Sequence, residues 1–314
     1  MARAAMAGLV AYEGAERSAI APVRPVAGQV EGATLRECGG SGAPVVLVPS
    51  LINPPHVLDL DPDVSLAEAI ARMGRRVLLL DWGPASQRSE LSVAGHVERL
   101  LLPLLWQIGE APAVVGYCLG GTMALAAANL LPAERVVTLA TPWDFADYPA
   151  DGREALLALW GSSRSAASAL GAMPMEVLQS AFWSLDPERT VAKFAKFALL
   201  DPAGPEARRF VALEDWANEG EPLPIPAARE LIEDFFGANS PGNGEWRVGL
   251  RNVTDDLSLP MLHCSARGDR ITPAGTAPSS AGDVVQLSSG HVGMIVGSAR
   301  FELHQALERF LGHA

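Results

Sequence analysis

Cysteine is scarce in this chain, with three among 314 residues, at positions 38, 118 and 264. Three thiols cannot pair into an even disulfide framework, so a reducing, cytoplasmic compartment is expected. No run approaches the roughly 20 apolar residues that a membrane span requires. Even RLLLPLLWQIGEAP is interrupted by Pro103 and by Gly109-Glu110. Positive charge is also short: 24 Lys and Arg against 36 Asp and Glu leave a formal net charge of −12, with no basic cluster. Phosphate backbones are held by clustered cations, so nucleic acid is excluded as a partner. Metal-ligand spacings such as CxxC or HExxH are missing, and no glycine-rich dinucleotide loop follows a strand, so neither metal nor nucleotide cofactor is expected. The Ala-rich opening is broken by Tyr12, Glu13 and Gly14, which is poor for a signal-peptide core, and residues 1–40 read as a loosely ordered lead-in.

With 49% hydrophobic and 19% charged residues the rest is globular and rather apolar. From Pro44 onward, short apolar runs alternate with amphipathic segments, the pattern of an α/β fold with a mostly parallel sheet between helices. PVVLVPS and RRVLLLDWG are continuous apolar runs ending in turn residues, and VSLAEAIARMG between them has helical spacing. HVERLLLPLLWQIGE, APAVVGYC, GGTMALAAANLL and RVVTLAT continue the alternation. After Thr141 the rhythm breaks into Trp-, Pro- and Gly-rich pieces such as PMEVLQSAFWSL and AARELIEDFFG. It resumes with LPMLHCSARGD, DVVQLSSGH and a closing amphipathic helix near residues 300–311. Residues 41–141 and 258–314 are therefore expected to form one core, with 142–257 inserted as a helical cap.

The sharpest feature is Val114-Val115-Gly116-Tyr117-Cys118-Leu119-Gly120-Gly121, a strand entering a helix through Gly-x-Cys-x-Gly. This is the nucleophile-elbow pattern of an α/β-hydrolase fold, with cysteine in place of serine. The turn is tight enough that the residues two before and two after the nucleophile must lack bulk. A sulfur at a helix N-terminus meets the positive end of the dipole and unpaired N–H groups, which favours negative charge there. The N–H of Leu119 would supply half of an oxyanion hole, and Leu51, in the Ser50-Leu51-Ile52-Asn53 loop after an early strand, the other half. Ile52, Asn53, Tyr117 and Trp143 surround these positions in the pattern and are the candidates for touching substrate. Cys38 and Cys264 lack this setting and read as structural thiols.

In this fold the acid and histidine follow the nucleophile. Four histidines qualify: His263 inside an apolar strand, His304 and His313 on or beyond the last helix, and His291 in Ser288-Ser289-Gly290-His291-Val292-Gly293 just after the last strand. The glycine-flanked loop makes His291 the candidate base. Asp269, on the loop of Ser265-Ala266-Arg267-Gly268-Asp269, is the candidate acid that would fix the imidazole tautomer, with Asp144 as its rival.

The segments VPSLINPPHVLDL, VLLLDWG, GYCLGGTMA, ATPWDF, LEDWANEGEPLP, SARGDRITPA and SSGHVGMIVGSA, in this order, resemble the polyhydroxyalkanoate (PHA) synthases, especially the short catalytic-subunit type, over about residues 46–311. The resemblance implies an acyltransferase that polymerises (R)-3-hydroxyacyl-CoA through a thioester on Cys118, with Asp269 and His291 in the matching motifs. It implies a CoA thioester as substrate and a growing polyester chain as partner, at a polymer granule surface, with no cofactor. It leaves open a homodimer or an accessory subunit. Leu51 stands where the family usually has an aromatic residue and Arg270 where it often has a histidine. A cysteine-dependent esterase, thioesterase or depolymerase-like hydrolase, and a non-catalytic granule-associated relative, are the other functions such a chain could have. The aromatics Trp143, Trp160, Phe182, Trp183 and Trp216 could keep water from the site, or be plain core.

Overall fold

The computed structural model describes residues 2–17, 22–177, 179, 187–280 and 282–312. Eight strands make one sheet: β1 Val26–Val30, β2 Ala33–Gly39, β3 Pro44–Val48, β4 Arg76–Asp81, β5 Ala113–Tyr117, β6 Arg135–Leu139, β7 Met261–Ala266 and β8 Asp283–Leu287, in the spatial order β1-β2-β4-β3-β5-β6-β7-β8. Strands β3 to β8 run parallel, and β2 is antiparallel to both of its neighbours. Every residue of β3, β5 and β7 is buried, as expected for strands covered on both faces.

Alternation along the strands divides the core into two layers. Val46 and Val48 join Leu78, Leu80 and Val114 against the helical run 93–107 (α3) and the helix Leu119–Leu130 (α4). Val45, Leu47, Val77 and Val115 face the other way, towards α2 (Leu66–Arg72) and the closing helix Arg300–Leu311. The expected core elements are all present, and the parallel strands β3 to β8 all end on one edge of the sheet, where a parallel α/β fold places its sites.

The described residues among the first 40 are more ordered than the sequence pattern implied. A helix, α1, spans Ala2–Glu13, and β1 and β2 belong to the main sheet, tied to β4 by the cross-strand pairs Arg36–Asp81 and Arg76–Glu37. The reason the pattern concealed them is physical. β1 is an edge strand with half-exposed or exposed residues throughout, so it carries no apolar run or clean alternation.

Between β6 and β7 lie α5 (Ala150–Leu170), α6 (Pro187–Phe197), α7 (Pro205–Asn218) and the helical run 225–237 (α8). Residues from Leu223 onward pack into the main core, with Trp246 edge-on to Trp143 and Phe235. α6 and α7 instead form a small apolar cluster with α1, through Tyr12, Phe194, Phe197 and Phe210. The Tyr12 hydroxyl donates to Asp215 at 2.6 Å, and Arg17 pairs with the same carboxylate. Phe182 and Trp183 lie outside the described residues.

At Gly8 an added Cβ would lie 1.9 Å from the Phe194 carbonyl oxygen, so α1 can approach α6 only because this position is bare. Gly8→Leu should therefore undock α1 at a cost of about 1–3 kcal/mol. Hydrogen exchange should speed up across residues 2–13 while the sheet stays protected; unchanged protection of α1 would contradict this packing.

Candidate active site

The elbow is built by close approach of three glycines. An added Cβ would lie 2.3 Å from Gly121 Cα at Gly116, 2.1 Å from the Val48 carbonyl oxygen at Gly120, and 1.8 Å from Thr141 Oγ1 at Gly121. Each contact joins the turn to a different neighbour: the helix start, the end of β3 and the segment after β6. Squeezed between them, Cys118 takes φ 57° and ψ −131°, a conformation that costs a non-glycine residue on the order of 1–3 kcal/mol. Its N–H donates to the Leu139 carbonyl at 2.9 Å and its own carbonyl accepts from Gly121, so surrounding structure holds the strained residue in place.

Cys118 is half-buried and lines a cavity of about 450 Å³. Asp269, His291, Tyr117, Ile52 and Asn53 line the same space. His291 Nδ1 lies 2.7 Å from Asp269 Oδ2. The other carboxylate oxygen, Oδ1, accepts from the N–H groups of Ile271 and Thr272 at 2.8 and 2.9 Å. The Thr272 hydroxyl donates to Asp269 Oδ2 at 2.7 Å and sits 3.1 Å from His291 Nδ1. The acid and histidine loops are joined by a bond from Gly268 N–H to the Ser289 carbonyl.

Charge is concentrated here. Burial opposes a positive ring at His291, but the electrostatic interaction with Cys118, hydrogen bonds with Asp269 and with Cys118, and the charge of Asp269 outweigh it, raising the pKa to about 10. Burial likewise pushes Asp269 up, yet its bonds and attraction to His291 and its bonds from Thr272 hold it below the ordinary carboxylate value. By contrast, burial pushes the thiols of Cys38 and Cys264 up to about 12, in keeping with inert core positions.

The remaining candidates are placed as follows. Tyr117 is buried, its ring centroid 5.0 Å from that of His291, and its hydroxyl donates to the His291 carbonyl at 3.3 Å. It thus braces the histidine loop besides lining the cavity. The Asn53 side-chain amide donates to the Glu219 carbonyl at 3.1 Å, binding the loop after β3 to the end of α7. Leu119 and Leu51 bury their side chains in the core, and neither is among the residues lining this cavity. Leu119 heads α4, where first-turn N–H groups lack intrahelical partners.

Trp143 is a correction. It does not line the cavity but is buried in the core against Trp246, in the same layer as α4, with its backbone N–H donating to the Thr276 carbonyl. Asp144 is also elsewhere, accepting from Ala146 N–H and from the Asn239 amide. His263 lies in β7 beside Thr138 at 2.8 Å, His304 lies on the last helix, and His313 lies outside the described residues. Of the cap aromatics, Trp216 lines the cavity and donates to the Pro54 carbonyl at 2.8 Å, whereas Trp160 is bonded to Glu233 within the core layer.

Thr272 belongs to no motif of its own, and the one local signal for it is its position three residues after an aspartate, which fits a side-chain-capped turn. Gln179, Lys193 and Glu214 also line the cavity from the inserted segment, where nothing periodic marked them.

No family model matches the chain. It is 27% identical over 277 residues to the Poly(3-hydroxyalkanoate) polymerase subunit PhaC of Haloferax mediterranei, covering 81% of this chain and 55% of that one. The polymerase subunit of the same name from Haloarcula marismortui is 26% identical, with 82% of this chain and 58% of the relative covered. The one from Allochromatium vinosum is 27% identical, with 85% and 80% covered. The chain thus spans little more than half the length of the first two relatives. Among solved structures, an esterase from Thermogutta terrifontis matches with a TM-score of 0.53 at 17% identity, covering 96% of this chain and 100% of that one. A bromoperoxidase from Bacillus anthracis matches with 0.54 at 14%, covering 93% and 100%. The fold is the α/β-hydrolase fold, and the resemblance to the PHA synthases carried by the motifs is borne out.

The raised pKa has a definite sign. Protonation of His291 contributes stability that is complete below the unfolded value of 6.5 and is lost as the pH rises towards about 10. Ring NMR should show His291 still protonated at pH 8, and Cys118→Ser or Asp269→Asn should bring its titration down towards the ordinary range. A wild-type ring titrating near 6.5 would contradict these electrostatics. For the elbow, Gly120→Ala should destabilise the fold by about 1–3 kcal/mol in urea melts, since the clash is with backbone; a neutral effect would contradict the packing.

Proposed function

We propose that the chain is a PHA synthase-like acyltransferase that uses Cys118 as nucleophile, His291 as general acid and base, and Asp269 as the group that orients and stabilises the imidazolium. The observation that carries the reading is a cysteine, rather than a serine, at a strained elbow whose cavity also holds a hydrogen-bonded His291–Asp269 pair. Similarity to polymerase subunits supports the substrate class, an (R)-3-hydroxyacyl-CoA.

In the loading half, the Cys118 sulfur attacks the thioester carbonyl, and the oxyanion is met by the N–H groups of Leu119 and Leu51. The carbon–sulfur bond to CoA breaks as His291 gives its proton to the departing thiolate. In the transfer half, the now neutral His291 takes the proton of an incoming 3-hydroxyl, whose oxygen attacks the Cys118 thioester and displaces the cysteine sulfur as thiolate, restoring the starting state. Cysteine suits this task. Exchange between two thiols is near balance, and an enzyme thioester remains activated towards an alcohol, whereas an enzyme ester would be nearly isoenergetic with the ester product. Elongation also needs water kept out, a role assigned to the helical insertion within 142–257, whose α6 and α7 contribute to the cavity wall.

Purified protein given 3-hydroxybutyryl-CoA should release CoA and form polyester, and Cys118→Ala or His291→Ala should each lower CoA release by at least about 10³-fold. Free hydroxy acid without polymer would make the chain a cysteine hydrolase instead. No CoA release at any acyl length, with Cys118 inert to iodoacetamide at neutral pH, would leave the non-catalytic reading.

A further inference from the structure

The cavity wall is mostly apolar, with Ile52, Val57, Phe210, Leu213, Trp216 and Val292. Set into it, on the side contributed by the inserted helices, is an ion pair: Lys193 Nζ of α6 lies 2.6 Å from Glu214 Oε2 of α7. The Glu214 side chain is only 8% exposed and is paired with Lys193. A charged pair in such a wall is expensive unless it stays hydrated or hydrogen-bonded. The Lys193 side chain is 31% exposed and both partners border the cavity, so water in the cavity can solvate the pair. An alkyl chain laid along this wall would strip that water and return no hydrogen bond, whereas a short acyl group held at Cys118 would leave the pair wet.

We propose that the Lys193–Glu214 pair is a specificity determinant that admits short 3-hydroxyacyl groups and rejects long alkyl tails. The inference rests on the acyltransferase reading for its substrate class but concerns the shape and polarity of the cavity itself. A chain longer than butyryl has to extend from the sulfur into the remaining volume, and the price of covering the pair grows with each methylene placed over it. Replacing both residues by apolar ones of similar size removes that penalty, because nothing charged is left to desolvate.

The test compares the wild type with Lys193→Met/Glu214→Leu and with the charge-swapped Lys193→Glu/Glu214→Lys, which keeps an ion pair in place. The first readout is the ratio of kcat/KM for 3-hydroxyoctanoyl-CoA over 3-hydroxybutyryl-CoA. It should rise by about tenfold or more in the apolar variant and stay near the wild-type ratio in the swap. The second readout needs no turnover: the rate at which N-octyl iodoacetamide alkylates Cys118, relative to N-ethyl iodoacetamide, should rise in the apolar variant in the same direction. Should that variant not fold, Lys193→Met/Glu214→Gln supplies the same two ratios, with a smaller rise expected. An alkylation ratio that does not move in a folded variant overturns the proposal. A ratio that moves as expected in a protein that turns over no acyl-CoA sustains the role of the pair and rejects the synthase reading.

Discussion

The structure depends on one crowded turn. Gly116, Gly120 and Gly121 let β5, the start of α4, the end of β3 and the segment after β6 come within van der Waals distance of one another, and Cys118 takes up the conformational cost at φ 57°. The strain is held because the neighbours are the central strands of a sheet buried on both faces, and because the Cys118 N–H and carbonyl are both bonded. The same crowding sets the loop after β3 beside the helix N-terminus. A sulfur, the backbone N–H groups of a helix start and the loop carrying Leu51 and Ile52 therefore meet at one edge of the sheet.

Around that fixed point the rest is electrostatic. His291 is brought over the edge by the loop after β8, gripped at Nδ1 by Asp269 and braced from below by the Tyr117 hydroxyl. Three donors from Ile271 and Thr272 hold the Asp269 carboxylate, so its orientation does not depend on the histidine. The raised pKa of His291 comes from Cys118 and Asp269, which together prevail over burial. These contacts favour the protonated ring.

Much of this was legible in the residues. The parallel strands announced themselves because burial on both faces demands uninterrupted apolar runs, as in PVVLV and RVLLLD. The elbow did so because steric crowding leaves glycine no substitute at Gly116 and Gly120. Asp269 and His291 were legible from chain order and loop position, and the structure joins them. What stayed hidden lacked a local signature. The edge strand β1 is too exposed to show a pattern, and Thr272 acts through a side chain whose partners are defined only in three dimensions. Trp143 was misplaced because its position just after β6 says nothing about which layer its ring enters, and the packing partner that decides it, Trp246, is about a hundred residues away in sequence. The wall formed by Lys193 and Glu214 comes from the segment with least periodicity, where helix packing rather than spacing sets which side chains face inward.

The central claim is that acyl groups pass through the sulfur of Cys118, and intact-protein mass spectrometry after brief mixing with 3-hydroxybutyryl-CoA tests it most directly. The account predicts an adduct of one or more hydroxybutyryl units, mapped by peptide analysis to Cys118, labile to hydroxylamine and missing from Cys118→Ala. Turnover that continues in Cys118→Ala, or an acyl group found on another residue, would contradict it.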